Sequence, residues 1–237
     1  MKGLVYAVDL TGFTSYLSGA DDAKYAVVGG ALLETLFNPV AQTTTAICNG
    51  LPLEHRLVNI PGDACIVAFT SKDAFTPDCL TSLVNELITM TKELKVLIPI
   101  EGQETEEEKR NRRAKVEFRK KPPVVRPGEE TGECFQLKYG MDFGLFCECN
   151  DPSLKGGGQR TDFTPSVIIG DAINRLSRIL SSPVDGARPE AARISAELWQ
   201  MMSDTFRNRP NKPCKIKDYP QKGSENGPNA RTFYVLL

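Results

Sequence analysis

Apolar and polar positions along the chain alternate between two periods, one suited to strands and one to helices. Residues 3–8 form a continuous apolar run closed by Asp9, Thr11 and Gly12, the pattern of a strand buried on both faces. Val27, Val28, Leu32, Leu33, Leu36 and Phe37 then recur at helical spacing and predict a helix over residues 22–43, weakened by Gly29-Gly30. Residues 47–69 predict a hairpin, with one strand over 54–60, a turn at Pro61-Gly62 and a second strand over 63–69. Leu80, Leu83, Val84, Leu87, Ile88 and Leu94 share one face of a helix predicted over 77–97. Beyond a polar stretch, residues 135–149 predict a long strand or strand pair, 166–169 a short strand, and 172–180 and 191–205 helices. Polar, proline-rich loops follow, and residues 231–237 predict a closing strand. No internal repeat is visible. Strand, helix, hairpin, helix, strand, helix, strand is the order of an α+β sandwich: a ferredoxin-like antiparallel sheet core with flanking helices.

Residues 100–133 break the pattern. Glu104, Glu106, Glu107 and Glu108 precede Lys109, Arg110, Arg112, Arg113 and Lys115, and Pro122, Pro123, Pro127 and Gly128 follow. Adjacent acids offset the basic run, so a solvated insert is favoured over a docking or nucleic-acid arm. One domain over residues 1–237 carrying this insert fits better than two. Across the chain 29 basic groups nearly balance 30 acidic ones, which excludes a surface that is wholly a nucleic-acid footprint. No apolar run approaches the ~18 residues of a spanning helix, so a soluble protein with no membrane partner is expected.

Seven cysteines in a chain this large argue against a disulfide framework and for buried thiols in a reducing cytoplasm. Cys147 and Cys149 are the closest pair, but a zinc site lacks further ligands, since His55 is the only histidine. A lone histidine also disfavours Ser-His-Asp and Cys-His catalysis. Carboxylates, arginine and bound metal are left to carry any chemistry. Gly156-Gly157-Gly158 lacks the Lys-Ser/Thr of a phosphate loop and reads better as a flexible connection.

Asp9 and Asp63 occupy matching turn positions, one ending the first strand and one at the hairpin tip. A ferredoxin-like path makes those strands neighbours and places both carboxylates at one sheet edge. Each aspartate alone is an ordinary turn-former. Converging, the two repel unless a cation lies between them, and Mg²⁺ or Mn²⁺ with substrate phosphates is the natural answer. The Thr11-Gly12-Phe13-Thr14 turn offers N–H groups and hydroxyls to such phosphates. Asn174 and Arg178 stand four apart on a predicted helix and share a face, with Ile173, Leu176 and Ile179 on the buried side. A guanidinium suits a transferring phosphoryl group, and an amide can orient a ribose.

Asp9-Leu10-Thr11-Gly12-Phe13-Thr14 resembles the opening motif of class III nucleotide cyclase catalytic domains. Pro61-Gly62-Asp63-Ala64 is similar to their Gly-Asp hairpin, and Tyr139-Gly140-Met141-Asp142-Phe143-Gly144 to their G-x-x-x-G strand. Ile169-Gly170-Asp171-Ala172-Ile173-Asn174 followed by Arg178 resembles their G-D-x-x-N-x-x-x-R helix start. The blocks occur in family order and cover nearly the whole chain apart from the insert. The resemblance implies that Asp9 and Asp63 hold two divalent ions, Mn²⁺ or Mg²⁺, with the Leu10 carbonyl as a further ligand. It implies that Asn174 orients the ribose and Arg178 stabilises the transition state at the α-phosphorus. It also implies a head-to-tail homodimer, because the aspartates and the Asn/Arg pair of one site come from different subunits. Lys222-Gly223 is a weaker candidate for the γ-phosphate.

Two positions depart from the purine cyclases of that family. Asn59 and Val167 stand where adenylate cyclases place Lys and Asp and guanylate cyclases place Glu and a small residue such as Cys. Val167 accepts nothing from an adenine amino group, leaving a buried donor unpaired at about 1–3 kcal/mol. Asn59 lacks the carboxylate that favours guanine, whereas its amide both donates and accepts, which suits a pyrimidine edge. A free-standing domain altered in this way resembles the pyrimidine cyclases of bacterial anti-phage signalling. The expected reaction is UTP to 3′,5′-cyclic UMP and pyrophosphate. Cytidylate cyclase, a divergent purine cyclase and a non-catalytic nucleotide-binding module are the alternatives.

Overall fold

A computed structural model describes residues 1–13, 33–51, 53–59, 64–94, 135–149, 167–184, 190–216 and 232–237. The apolar run at the start forms β1, Lys2–Thr11. A π-helical turn, Leu33–Phe37, leads into α1, Asn38–Gly50, and then come β2, Leu53–Asn59, and β3, Ala64–Ser71. Next are α2, Pro77–Glu93, β4, Gln136–Leu145, and the short strands β5, Cys147–Cys149, and β6, Val167–Ile169. The chain continues through α3, Asp171–Ser181, β7, Arg193–Ser195, α4, Ala196–Met201, and α5, Asp204–Arg207. It closes with β8, Asn211–Lys215, and β9, Thr232–Leu236.

The α+β architecture is as expected, a seven-stranded sheet in the order β2-β3-β1-β4-β7-β9-β8 with flanking helices. β5 and β6 pair separately. The sheet is not wholly antiparallel: β4 and β7 run parallel, because α3 makes a crossover between them instead of a hairpin. Along β1 the pleat sends Leu4, Tyr6, Val8 and Leu10 to one face, where they meet α1, α2 and α4 in the main core. Val5 and Ala7 point to the other face and pack with Ile66, Ala68, Ala172, Leu176 and Leu180 under α3.

The helix expected over 191–205 is corrected. Residues 193–195 are extended, with Arg193 and Ile194 bridging β4 and β9, and Ser195 caps α4 by accepting from the Leu198 N–H at 3.2 Å. A second break at Ser203 separates α4 from α5. The proline-rich loop near the C-terminus contains β8, which tolerates Pro213 because it is the edge strand. The hairpin expected from residue 47 starts later, since α1 runs to Gly50. Residues 22–32, the Pro61-Gly62 turn, the 100–133 insert and Gly156-Gly157-Gly158 lie outside the described residues.

Cys48, Cys65, Cys79, Cys147 and Cys214 form no disulfide, as expected. Cys65 is a buried thiol pushed up to about 12 by desolvation, but Cys147 is exposed and its Sγ donates to the Ile169 carbonyl. No helix of the described residues is long and apolar enough to cross a membrane.

Candidate functional site

Asp9 lies near the end of β1 on the α3 side of the sheet, partly buried. Its opposite residues are Ala64, which opens β3, and Lys138 in β4. Asp63 lies outside the described residues, yet its chain neighbour Ala64 is directly across from Asp9. Two residues on, Thr11 Oγ1 is covered and finds no hydrogen-bond partner among the described residues. Gly12 follows with φ 85°, a left-handed conformation that a side chain disfavours, and Phe13 anchors the turn by packing on Phe135 at 5.8 Å. Leu10 is buried in the main core. Thr14 lies outside the described residues. The end of β1 therefore presents a carboxylate, a cross-strand ammonium and a hydroxyl lacking a partner. Oxygen donors of this kind fit Mg²⁺ or Mn²⁺ and phosphate.

α3 carries the second group. Asn174 is exposed and Arg178 partly buried, both on the side of α3 away from its packed residues Ala172, Leu176, Ile179 and Leu180. The strand beneath explains how closely this helix sits. A Cβ on Gly144 would come within 3.2 Å of the Ala172 Cβ, and one on Gly140 within 3.1 Å of Leu176 and 2.9 Å of the Arg193 carbonyl. At the helix start a Cβ on Gly170 would fall 2.4 Å from the Leu145 carbonyl oxygen. The glycines of both motifs are thus demanded by close approach.

Sequence reasoning missed what lies between those glycines. Asp142 is 0% exposed and Arg175 8%. Arg175 Nε donates to Asp142 Oδ2 at 2.8 Å, and Nη2 to Oδ1 at 3.1 Å. The Phe143 N–H donates to the same Oδ1 at 2.7 Å, and the Ser195 hydroxyl donates to the carboxylate as well. Arg175 Nη1 reaches Glu197 in α4 at 3.2 Å. Burial pushes the Asp142 carboxyl up to about 6, against the pull of Arg175. At the far end of α3, buried Arg193 donates from Nη1 to the carbonyls of Ile179, Leu180 and Ser182 at 2.8, 2.9 and 2.8 Å. A charged residue in the middle of an apolar strand was the available signal, since such a group needs a buried partner.

α3 runs along the sheet between the Gly3 and Asp9 ends of β1. Gly144, which seats the first turn of α3, pairs with Gly3. Asp9 lies six residues further along β1, about 20 Å at a strand's rise. Asn174 therefore lies toward the Gly3 end, whereas Leu176, two residues before Arg178, lies over Gly140, which pairs with Ala7. Asn59 closes β2 opposite Cys65, and Val167 opens β6 opposite Cys149. Lys222-Gly223 lies outside the described residues. No cluster of three metal-ligating side chains occurs among the described residues.

No protein-family model matches the chain, and no curated protein is significantly similar to it. Solved structures do match. The catalytic core of a rhodopsin-guanylyl cyclase with converted specificity, in complex with ATPαS, aligns over 100% of this chain and 96% of its own, with 18% identity and a TM-score of 0.52. The guanylyl cyclase Cya2 aligns over 100% and 94%, with 14% identity and a TM-score of 0.52. A class III adenylyl cyclase-like ATP-binding protein from Pseudomonas aeruginosa aligns over 86% of this chain and 36% of its own, with 12% identity and a TM-score of 0.51. At such identities the likeness speaks for the fold, which is that of class III nucleotide cyclase catalytic domains.

Proposed function

We propose that this chain is a nucleotide cyclase that converts UTP to 3′,5′-cyclic UMP and pyrophosphate. The observation that carries the reading is a cyclase fold with Asp9 and the orphaned Thr11 hydroxyl at one end of β1, and Asn174 and Arg178 on the outer side of α3. Asp9 and Asp63, with the Leu10 carbonyl, would hold two Mn²⁺ or Mg²⁺ ions. When bound, those ions supply charge to the triphosphate and acidify the ribose 3′-hydroxyl. The segment from Thr11 to Thr14 would receive phosphate oxygens on its N–H groups, and Lys138, opposite Asp9, would add an ammonium. Asn174 orients the ribose by hydrogen bonding, and Arg178 meets the charge that grows on the α-phosphoryl group. Asn59 and Val167 read a pyrimidine edge through an amide and an apolar wall.

Following the family resemblance, a complete site joins the aspartates of one subunit to the α3 residues of another. A homodimer then holds two equivalent sites. As a cyclase domain with a charged insert at 100–133, the protein fits a cytoplasmic source of a cyclic pyrimidine messenger in bacterial anti-phage defence. That role rests on the family resemblance.

Incubating the purified chain with ATP, GTP, CTP or UTP and Mn²⁺, then separating the products, tests the reaction. Cyclic UMP is the expected dominant product. Dominant cyclic CMP or a cyclic purine overturns the base assignment, and no cyclic product from any of the four overturns the cyclase reading. For the shared site, Asp9→Ala and Arg178→Ala should each lower turnover at least ~100-fold. Mixing the two inactive variants should restore activity, because a mixed dimer keeps one intact site. Mixing without recovery places both residues in a single-subunit site.

A further inference from the structure

The seat of α3 is apolar except at one point. Under the helix lie Val5, Ala7, Ile66, Ala68 and Phe146, with Gly140 and Gly144 at the two ends of the β4 contact. Apolar contacts of this kind are non-directional and resist sliding or rolling of a helix only weakly. Asp142 stands midway between the glycines and receives the fork of Arg175, whose planar geometry accepts one orientation. The same guanidinium continues to Glu197 in α4, and Asp142 also receives the Ser195 hydroxyl from β7. Two strands and a second helix thus converge, directly or through Asp142, on one α3 side chain.

That side chain follows Asn174 directly and lies three residues before Arg178. At about 100° per residue, Asn174 and Arg178 lie ~40° apart on the helix wheel, and Arg175 ~60–100° from them. Fixing the direction of Arg175 therefore fixes the direction of the other two. Stability alone is a poor reason for such a pair, because well-packed apolar residues replace buried ion pairs at little or no loss.

We propose that Asp142, Arg175 and Glu197 form a positioning clamp that sets the rotation of α3 and thereby aims Asn174 and Arg178 at the reacting nucleotide. This rests on the assignment of Asn174 and Arg178 given above. The clamp touches no substrate; it acts through its neighbours.

The test compares stability with turnover in the full chain, using the nucleoside triphosphate that the wild-type protein cyclises best. The double variant Asp142→Val/Arg175→Met removes both charges with little change in total volume. Its melting temperature should equal or exceed that of the wild type. Its KM should stay within about twofold while kcat falls about 10- to 100-fold, as expected for misaimed catalytic groups. Arg175→Lys keeps the charge but loses the fork, so its kcat should fall between the two. Wild-type kcat in the double variant, or a raised KM at unchanged kcat, overturns the clamp. Should the double variant fail to fold, Arg175→Lys decides by the same criterion. Asn174→Ala and Arg178→Ala run alongside. If they leave turnover unchanged, the site assignment fails and the clamp has nothing to aim. If they lower turnover while the Asp142 and Arg175 variants do not, the clamp alone fails.

Discussion

One face of the seven-stranded sheet meets α1, α2 and α4 through large side chains such as Tyr6, Leu36, Leu83, Leu87, Met141 and Trp199. The other face takes α3 on Val5, Ile66, Phe146, alanines, two glycines and a buried ion pair. The first arrangement removes much apolar area from water without favouring one precise alignment, because dispersion and hydrophobic contacts are non-directional. The second buries less apolar surface and is directional, since a bidentate pair and an arginine cap are satisfied in only one geometry. The face that stabilises and the face that aims are thus separate. The helix carrying the proposed Asn174 and Arg178 lies on the aiming face.

The largest expected effects come from damaging each face in turn. Arg193→Met leaves the carbonyls of Leu180 and Ser182 without their buried donor, and should lower the unfolding free energy by about 3–5 kcal/mol. Because that cap fixes the end of α3, kcat of the remaining folded protein should fall as well. Leu87→Ala, at a fully buried position on the apolar face, should cost about 3 kcal/mol by cavity formation. Its kcat per folded molecule should match the wild type. Denaturant unfolding read beside initial rates separates the cases. A rate loss in Leu87→Ala equal to that in Arg193→Met would erase the distinction between the faces.

The same division explains what the sequence made legible. Apolar periodicity is a property of neighbouring residues, so β1, α2 and α3 could be placed from their own patterns. β7 could not: three residues are too few to show a period, and Ser195 serves both as its last residue and as the α4 cap. Asp9, Gly12, Asn174 and Arg178 stood out because motif spacing is local too. Asp142 and Arg175 are 33 residues apart, and each looked ordinary in its own segment. Only the crossover from β4 through α3 brings them together. Arg175 in particular was overshadowed by Arg178, one turn later on the same helix, although Arg175 is the more buried of the two.

A smaller effect follows from the acid–base behaviour of the directional face. Burial raises the Asp142 carboxyl from 3.8 to about 6, so the folded chain holds its proton more tightly than the unfolded chain. The stabilising contribution of that proton is complete below about pH 4 and is lost as pH rises through about 6. It amounts to at most about 3 kcal/mol, from 1.36 kcal/mol per pKa unit. The groups facing the carboxyl are Arg175 from α3, the Ser195 hydroxyl from β7 and Glu197 from α4, the last favouring the protonated form. Turnover should move in the opposite direction, because the fork of Arg175 needs an ionised acceptor. As pH rises from 5 to 7, wild-type kcat should climb while this group's share of stability declines. Asp142→Asn, which cannot titrate, should flatten both trends while keeping the side-chain volume. Subtracting its pH profiles from those of the wild type isolates the carboxyl from every other titrating group. Difference profiles in which kcat and stability rise together would show that the ion pair serves the fold alone, and both faces would then act in the same way.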